Sequence, residues 1–520
     1  MADPTSEKLT ESSAASAMSL NRSIKRKHKS NNRECPPVRD ITGWRWALVV
    51  AAILSSTFLF ALDNTIVADV QADIVVTFND VSKLSWLSVG FLIGAASTNL
   101  VWGKIYGQFN AKWTYIISIV IFEAGSALCG GAPNMPALIV GRALCGFGGS
   151  GTYVGVMTLL AASTTIHERP LYIGGTGMTW GLGTVIGPII GGAFTDSSAG
   201  WRWAFYINLC IGAACAPVYL FLLPNYDPRP GVPLLHRAKE VDYLGGIIII
   251  GAFVSGVMAV SFGGVTYPWN SGKIIGLFVC SGILFIIFGI QQVFTIFTTT
   301  SRRIFPIEFL QSRTMLILFA VTSAGGTAIF IPIYMIPIFF QFTRNDSALE
   351  AGVRLLPFIF LMIFAVISNG AILSAYGYYM PWYTAGGVLV LIGGSLMFAD
   401  VTPIPLLPKS MASPSLSAVV AEELVSSAVG FITCAQVGGV TIALAIANSV
   451  FLNGSQEKIQ AILPDLPAAE IQQQKEVIQA IVESMSKTYA MVITAGALTV
   501  VLSLLMKREK LFMSAAMGGA

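Results

Sequence analysis

Charge is what this chain has least of. Only 11% of its 520 residues are Asp, Glu, Lys or Arg, whereas 54% are hydrophobic. A soluble domain carries about 25% charged residues, so this composition excludes an ordinary soluble globular protein. Histidine is scarcer still. His28, His167 and His236 are the only three, too few and too scattered for a metal-ligand cluster. The seven cysteines make no disulfide framework. Cys129, Cys145, Cys210, Cys215, Cys280 and Cys434 sit in or beside apolar runs, where cysteine acts as a small hydrophobe. There is no G-x-x-x-x-G-K-[ST] phosphate loop and no H-E-x-x-H pair. Gly146-Phe-Gly148-Gly149-Ser-Gly151 fits G-x-G-x-x-G, but it lies inside an apolar run, where such glycines pack helices. The expectation is a protein that is not an enzyme, with no cofactor and no metal. Energy for any work then comes from an ion gradient, not from bound nucleotide.

What the chain does have is apolar runs of about 20 residues, the length of a bilayer-spanning helix. They fall at roughly 44–66, 84–102, 113–131, 137–160, 171–194, 201–223, 243–263, 274–297, 314–340, 352–375, 380–399, 426–452 and 487–506, an all-α polytopic membrane protein with thirteen convincing spans. Residues 1–40 are polar, rich in Ser and Lys, without the apolar segment of a signal peptide. Residues 1–43 read as a disordered cytoplasmic tail. Its Lys25-Arg26-Lys27-His28-Lys29 run suits anionic lipid and not nucleic acid. Alternate loops carry Lys104 and Lys112, Arg169, Arg229 with Arg237 and Lys239, and Arg302, Arg303 and Arg313. The loops between them hold Asp69, Asp73, Asp80 or Asp196, so the N-terminus is cytoplasmic.

Several stretches carry more than hydrophobicity. Gly181-Leu-Gly183-Thr-Val-Ile-Gly187-Pro188-Ile-Ile-Gly191-Gly192 would ruin a soluble helix; a membrane helix tolerates it, since small residues admit a close neighbour. Arg142 lies about one turn inside the fourth run, an expensive place for a charge; its plain alternative is snorkelling to headgroups. Asp63 ends the first apolar segment in Leu62-Asp63-Asn64-Thr65-Ile66-Val67. It is either a proton-exchanging carboxylate or an interfacial one facing water. Glu123 sits deeper, in the third run, as a proton carrier or a hydrogen-bond partner to a neighbouring helix. Trp201-Arg-Trp-Ala-Phe-Tyr-Ile-Asn208 reads as an interfacial aromatic belt.

In this order and spacing the stretches resemble the major facilitator superfamily, specifically its fourteen-span drug:proton antiporter branch. Gly183, Gly187, Pro188, Gly191 and Gly192 match the antiporter motif g-x-x-x-G-P-x-x-G-G. Leu138-Ile-Val-Gly-Arg142-Ala-Leu-Cys-Gly146 resembles l-x-x-x-R-x-x-q-G, with Cys145 in the glutamine position. Leu62–Val67 resembles l-D-x-T-I-V, and Trp201–Asn208 resembles W-R-W-x-F-x-I-N. The loop Gly103-Lys-Ile-Tyr-Gly-Gln-Phe-Asn-Ala-Lys112 resembles G-x-L-a-D-r-x-G-r-k at Gly103 and Lys112. Gly107 replaces its acid, so the family's charge contacts there are not implied, and a plain cytoplasmic hairpin remains open.

The resemblance implies a major facilitator fold. An N-terminal six-helix bundle would occupy 44–223, a linker with two extra spans 224–297, and a C-terminal bundle 298–506, followed by a tail at 507–520. It implies a proton-coupled exporter of small organic compounds, such as drugs, toxins or secondary metabolites, with Asp63, Arg142 and Glu123 in proton coupling. The implied partners are a small-molecule substrate, protons and the lipid bilayer. The chain would be a monomer in the plasma membrane, or alternatively the vacuolar membrane, of a fungal cell. A proton-coupled importer, such as one for siderophores, and a channel or sensor are the competing readings.

The resemblance breaks near 401–425, where relatives carry another span. Here Asp400-Val-Thr-Pro-Ile-Pro-Leu-Leu-Pro-Lys409 leads into Ser- and Ala-rich sequence ending Glu422-Glu423, which makes no membrane helix. Thirteen spans would turn the loop after 452, with its Asn453-Gly-Ser455 glycosylation pattern, to the cytoplasm and Lys507-Arg508-Glu-Lys510 outside, against the charge rule. The expectation is a compromised second bundle with weak or no transport.

Overall fold

The computed structural model describes residues 41–80, 83, 85–165, 168–195, 197–264, 266–344, 346, 348–376, 378–400, 425–462 and 475–506. Thirteen helices among them are long and apolar enough to cross a membrane, and they follow the apolar runs of the sequence. They are α1 (Trp44–Phe78), α2 (Ser85–Gln108), α3 (Ala111–Gly130), α4 (Met135–Ser163), α5 (Arg169–Thr195) and α6 (Trp203–Pro217). After these come α7 (Tyr243–Phe262), α8 (Gly272–Val293), α9 (Arg313–Arg344), α10 (Ala348–Tyr376), α11 (Met380–Asp400) and α12 (Val425–Ile462). The last span has two parts, α13 (Lys475–Thr488) and α14 (Ala490–Leu504). Its first part is too polar to have been read as spanning.

Polar residues between the runs start the helices. Asn110 accepts from the Lys112 and Trp113 amides at 3.1 and 3.4 Å to begin α3. Asn134 accepts from the Ala137 amide at 2.9 Å, with Pro136 in the first turn of α4. Asp242 does the same for α7 through Gly245 at 2.8 Å. Each satisfies amides that the helix itself cannot. In the first bundle α4 packs between α2 and α3 on glycine. A Cβ at Gly146 would lie 2.1 Å from the Phe91 carbonyl oxygen of α2, and one at Gly148 would lie 2.4 Å from the Phe122 nitrogen of α3. The G-x-G-x-x-G string is therefore a packing surface. The pair α7–α8 leans on α2 and α12: Trp86 packs on Phe262 with ring centroids 4.6 Å apart, and Ser449 donates to the Gly263 carbonyl at 3.3 Å.

With the start of α5 placed on the face that the charge rule makes cytoplasmic, the contacts give the direction of the later spans, and it differs from the one an odd count alone would give. A Cβ at Gly370 of α10 would lie 3.0 Å from the Pro170 carbonyl oxygen, at the cytoplasmic start of α5. So α10 ends at the cytoplasmic face and α11 leaves from it. Gly430, near the start of α12, faces Gly103 at the cytoplasmic end of α2, with 2.8 Å from its Cβ position to the Gly103 Cα. Hence α11 ends at the outer face at Asp400, yet α12 begins at the cytoplasmic face at Val425. α14 runs antiparallel to α11, since Gly387 meets Val500 and Gly394 meets Val492, and it ends at the cytoplasmic face. That is the side the charge rule gives to Lys507–Lys510. Packing of α12 on α2 overrides the count, because only one direction brings Gly430 to Gly103. Residues 1–40, 401–424 and 507–520 themselves lie outside the described residues. Asn453, expected in a loop, lies within helix α12.

Candidate functional site

Asp63 of α1 and Arg142 of α4 meet in the middle of the first bundle. Their side chains are 0% and 1% exposed and form an ion pair through Arg142 Nη1 and Asp63 Oδ2. Arg142 Nε donates to the Leu87 carbonyl of α2 at 3.1 Å, and its guanidinium lies over the Phe91 ring, 4.4 Å from the centroid. Asn208 of α6 donates from Nδ2 to Asp63 Oδ1 at 3.1 Å and to Ser126 Oγ at 3.1 Å. Ions buried this deeply cost several kcal/mol each, offset only where geometry and extra hydrogen bonds are complete. Neither Asp63 at a wetted rim nor Arg142 snorkelling to headgroups describes this arrangement. Asn208 closes the tryptophan-rich stretch and was read only as part of an aromatic belt. Its signal was an amide at the start of an apolar run, with no indication of which carboxylate it would face.

Glu123 is not part of that cluster. Both of its carboxylate oxygens are buried and have no hydrogen-bond partner among the described residues. They border a small cavity lined by the hydroxyl-bearing Ser56, Thr152 and Tyr219, with Phe60 at one wall. Room for the carboxylate comes from α6, where a Cβ at Gly212 would lie 2.2 Å from Glu123 Oε1.

Phe60 also borders a second cavity, which lies between the two halves of the molecule. From the first half Asn64, Phe91 and Trp180 face it; from the second, Phe330, Gln436 and Thr441. Two hydrogen bonds bridge the halves around it: Asn64 Nδ2 to Tyr334 Oη at 3.1 Å and Tyr153 Oη to Gln436 Oε1 at 2.9 Å.

The glycine-rich α5 lies along α1. A Cβ at Gly183 would lie 2.8 Å from Ala61 Cβ and from the Phe58 carbonyl oxygen, and one at Gly187 would lie 2.2 Å from Thr65 Oγ1. Pro188 is carried inside the helix, and Gly191 is buried. Gly192 departs from the expected close packing: a Cβ there meets nothing within 4 Å, because the outer end of α5 has no neighbour at that position.

At the cytoplasmic end Gly103 packs on Gly430, and Thr433 Oγ1 donates to Asn99 Oδ1 at 2.6 Å. Lys112 Nζ donates to the Leu220 carbonyl at 2.7 Å. Lys104 Nζ donates to the Ser301 carbonyl at 2.6 Å. In place of the missing loop acid, the segment after α6 supplies carboxylates. Arg237 pairs with Asp227 at 2.7 Å, Arg229 pairs with Glu240, and both arginines bond Gln108. The hydrogen bonds from Arg237 and from Arg229 hold Asp227 and Glu240 below the ordinary carboxylate range. The clasp is at full strength above that range and loosens as pH falls through the lowered values.

The family profile described as the Major Facilitator Superfamily matches residues 48–453. The chain belongs to the major facilitator superfamily. Three similar proteins are fungal. The "MFS-type transporter pgmG" of Aspergillus terreus is 46% identical, over 100% of this chain and 98% of that protein. The "Efflux pump alnA" of Emericella nidulans is 44% identical over 92% and 93%. The "Phomenoic acid biosynthesis cluster MFS-type transporter" of Leptosphaeria maculans is 41% identical over 92% and 84%. Among solved structures, the proton:xylose symporter XylE superposes with a TM-score of 0.57 at 12% identity, covering 91% of this chain and 98% of that one. The human organic anion transporter MFSD10 superposes with a TM-score of 0.56, also at 12%, covering 90% and 100%. These two share the fold. The chain is a multi-pass membrane transporter.

Proposed function

We propose that this major facilitator protein exports small organic compounds across the plasma membrane as a monomer, driven by protons, and that Asp63, Arg142 and Asn208 couple proton uptake to the conformational change. Supporting efflux are the relatives named as efflux pumps. The observation that carries the coupling role is the buried pair itself, placed where α1, α2, α4 and α6 converge and one ring away from the cavity between the halves. Protonating Asp63 removes the charge that Arg142 and Asn208 hold. The arginine then loses its counter-ion, and the ion pair that ties α4 to α1 is lost. Substrate in the cavity and a proton on Asp63 thus bias the same helices, which is the condition for coupling.

Proteoliposomes with a pH-sensitive dye inside test this. Substrate addition should move protons in the wild type, and a protonophore should abolish uphill substrate movement, which a channel would not require. Asp63→Asn should stop proton movement. It also strands Arg142, a cost of about 3–5 kcal/mol, so the double variant Asp63→Asn/Arg142→Gln is the decisive one. It should regain thermal stability and remain uncoupled. Substrate-driven proton movement in that folded double variant would remove the pair from the mechanism.

A further inference from the structure

We propose that the cavity between the halves selects uncharged, flat aromatic compounds carrying both a hydroxyl and a carbonyl group, and rejects organic cations and organic anions alike. This rests on the transporter reading above and names its substrate class.

The lining holds no Asp, Glu, Lys, Arg or His. Phe60, Phe91, Trp180 and Phe330 surround it, and Phe60 and Phe330 meet Trp180 edge-on with centroids 5.2 and 5.9 Å apart. Ring edges and faces in the wall offer an aromatic ligand the edge-to-face and offset-stacked contacts that aromatic groups prefer. The nearest charges are covered. Arg142 lies against Phe91, and with Asp63 it forms a neutral pair with no exposure to the cavity. A cation in the cavity would find no carboxylate and an anion no ammonium or guanidinium. An unpaired charge in so apolar a space is strongly disfavoured.

Two amides line the cavity, one from each half, beside the Thr441 hydroxyl, which donates to the Val437 carbonyl at 2.8 Å, and the Trp180 indole N–H, which has no partner among the described residues. Asn64 gives its Nδ2 to Tyr334, which leaves its carbonyl oxygen as an acceptor. Gln436 receives Tyr153 on its Oε1, which leaves its amide nitrogen as a donor. A ligand hydroxyl answers the first and a ligand carbonyl the second. Because the two amides sit on opposite halves, one ligand satisfying both ties the halves together.

Thermal shift of the purified full chain in lipid nanodiscs reads binding without requiring coupling, since a ligand of the folded state raises Tm with concentration. Three probes of similar size are compared: 1,8-dihydroxyanthraquinone, anthraquinone-2-sulfonate and ethidium. The uncharged quinone should bind at least about a hundred-fold tighter than either ion. Gln436→Leu and Asn64→Leu should each weaken it about three- to ten-fold. Trp180→Ala should weaken it too, with no gain for the ions. Equal or tighter binding of either ion overturns the proposal, as does failure of the quinone to bind or full quinone affinity in both amide variants. Quinone binding without substrate-driven proton movement in proteoliposomes would instead count against the coupled-transport reading and leave the specificity standing.

Discussion

Two buried carboxylates in one bundle have opposite surroundings. Asp63 is held by a guanidinium and an amide; Glu123 has buried oxygens with no partner among the described residues and a cavity beside it. A carboxylate without partners contributes nothing to the fold that its uncharged isostere would not. Glu123→Gln should therefore leave Tm within about 2 °C of wild type, or raise it, while reducing substrate-driven proton movement. A drop of several degrees would show that the carboxylate has a structural partner after all. The contrast with Asp63→Asn, which strands a charge, separates the two roles by stability alone.

Among helices, the deciding quantity is how close α5 lies to α1. Gly187 leaves 2.2 Å between a Cβ position and Thr65 Oγ1, while Gly192 meets nothing. Gly187→Leu should abolish transport and lower surface expression, because the side chain has nowhere to go without parting the two helices. Gly192→Leu should transport at wild-type rates. Loss of transport in Gly192→Leu at normal expression, or tolerance of Gly187→Leu, would contradict the packing. The same reasoning separates the motif's residues in a way its pattern does not. Gly183 and Gly187 are needed for approach, whereas Gly192 lies past the point where the helices touch.

For the molecule as a whole, α11 ends on the face opposite the one where α12 starts. Chain direction in the second half is thus the one a fourteen-span arrangement would give, although thirteen spans are found among the described residues. A glycosylation reporter inserted after Glu470 should read as outside, and a fluorescent fusion at the C-terminus as cytoplasmic. With that topology, expression in a strain lacking its own pumps should give measurable efflux. A cytoplasmic signal after Glu470, or none of the efflux, would restore the reading in which residues 401–425 break the second bundle.

The sequence by itself determined the class and the span positions, because about 20 apolar residues in a row have one stable home. It also gives an expected sidedness for the first half, because lysine and arginine in short loops bias orientation. It located Asp63, Arg142 and Glu123, since charges in apolar runs stand out. Which of these charges pair was a matter of tertiary structure, because helices far apart in sequence bring Asp63, Arg142 and Asn208 together while leaving Glu123 alone. Tertiary structure also decided that α12 enters from the cytoplasm. Counting spans treats each crossing as independent, whereas glycine-to-glycine contact between α2 and α12 admits only one direction. The cavity, too, was invisible in the sequence. Its phenylalanines, Trp180 and the two amides come from five helices, and no spacing within any one helix marks them as neighbours.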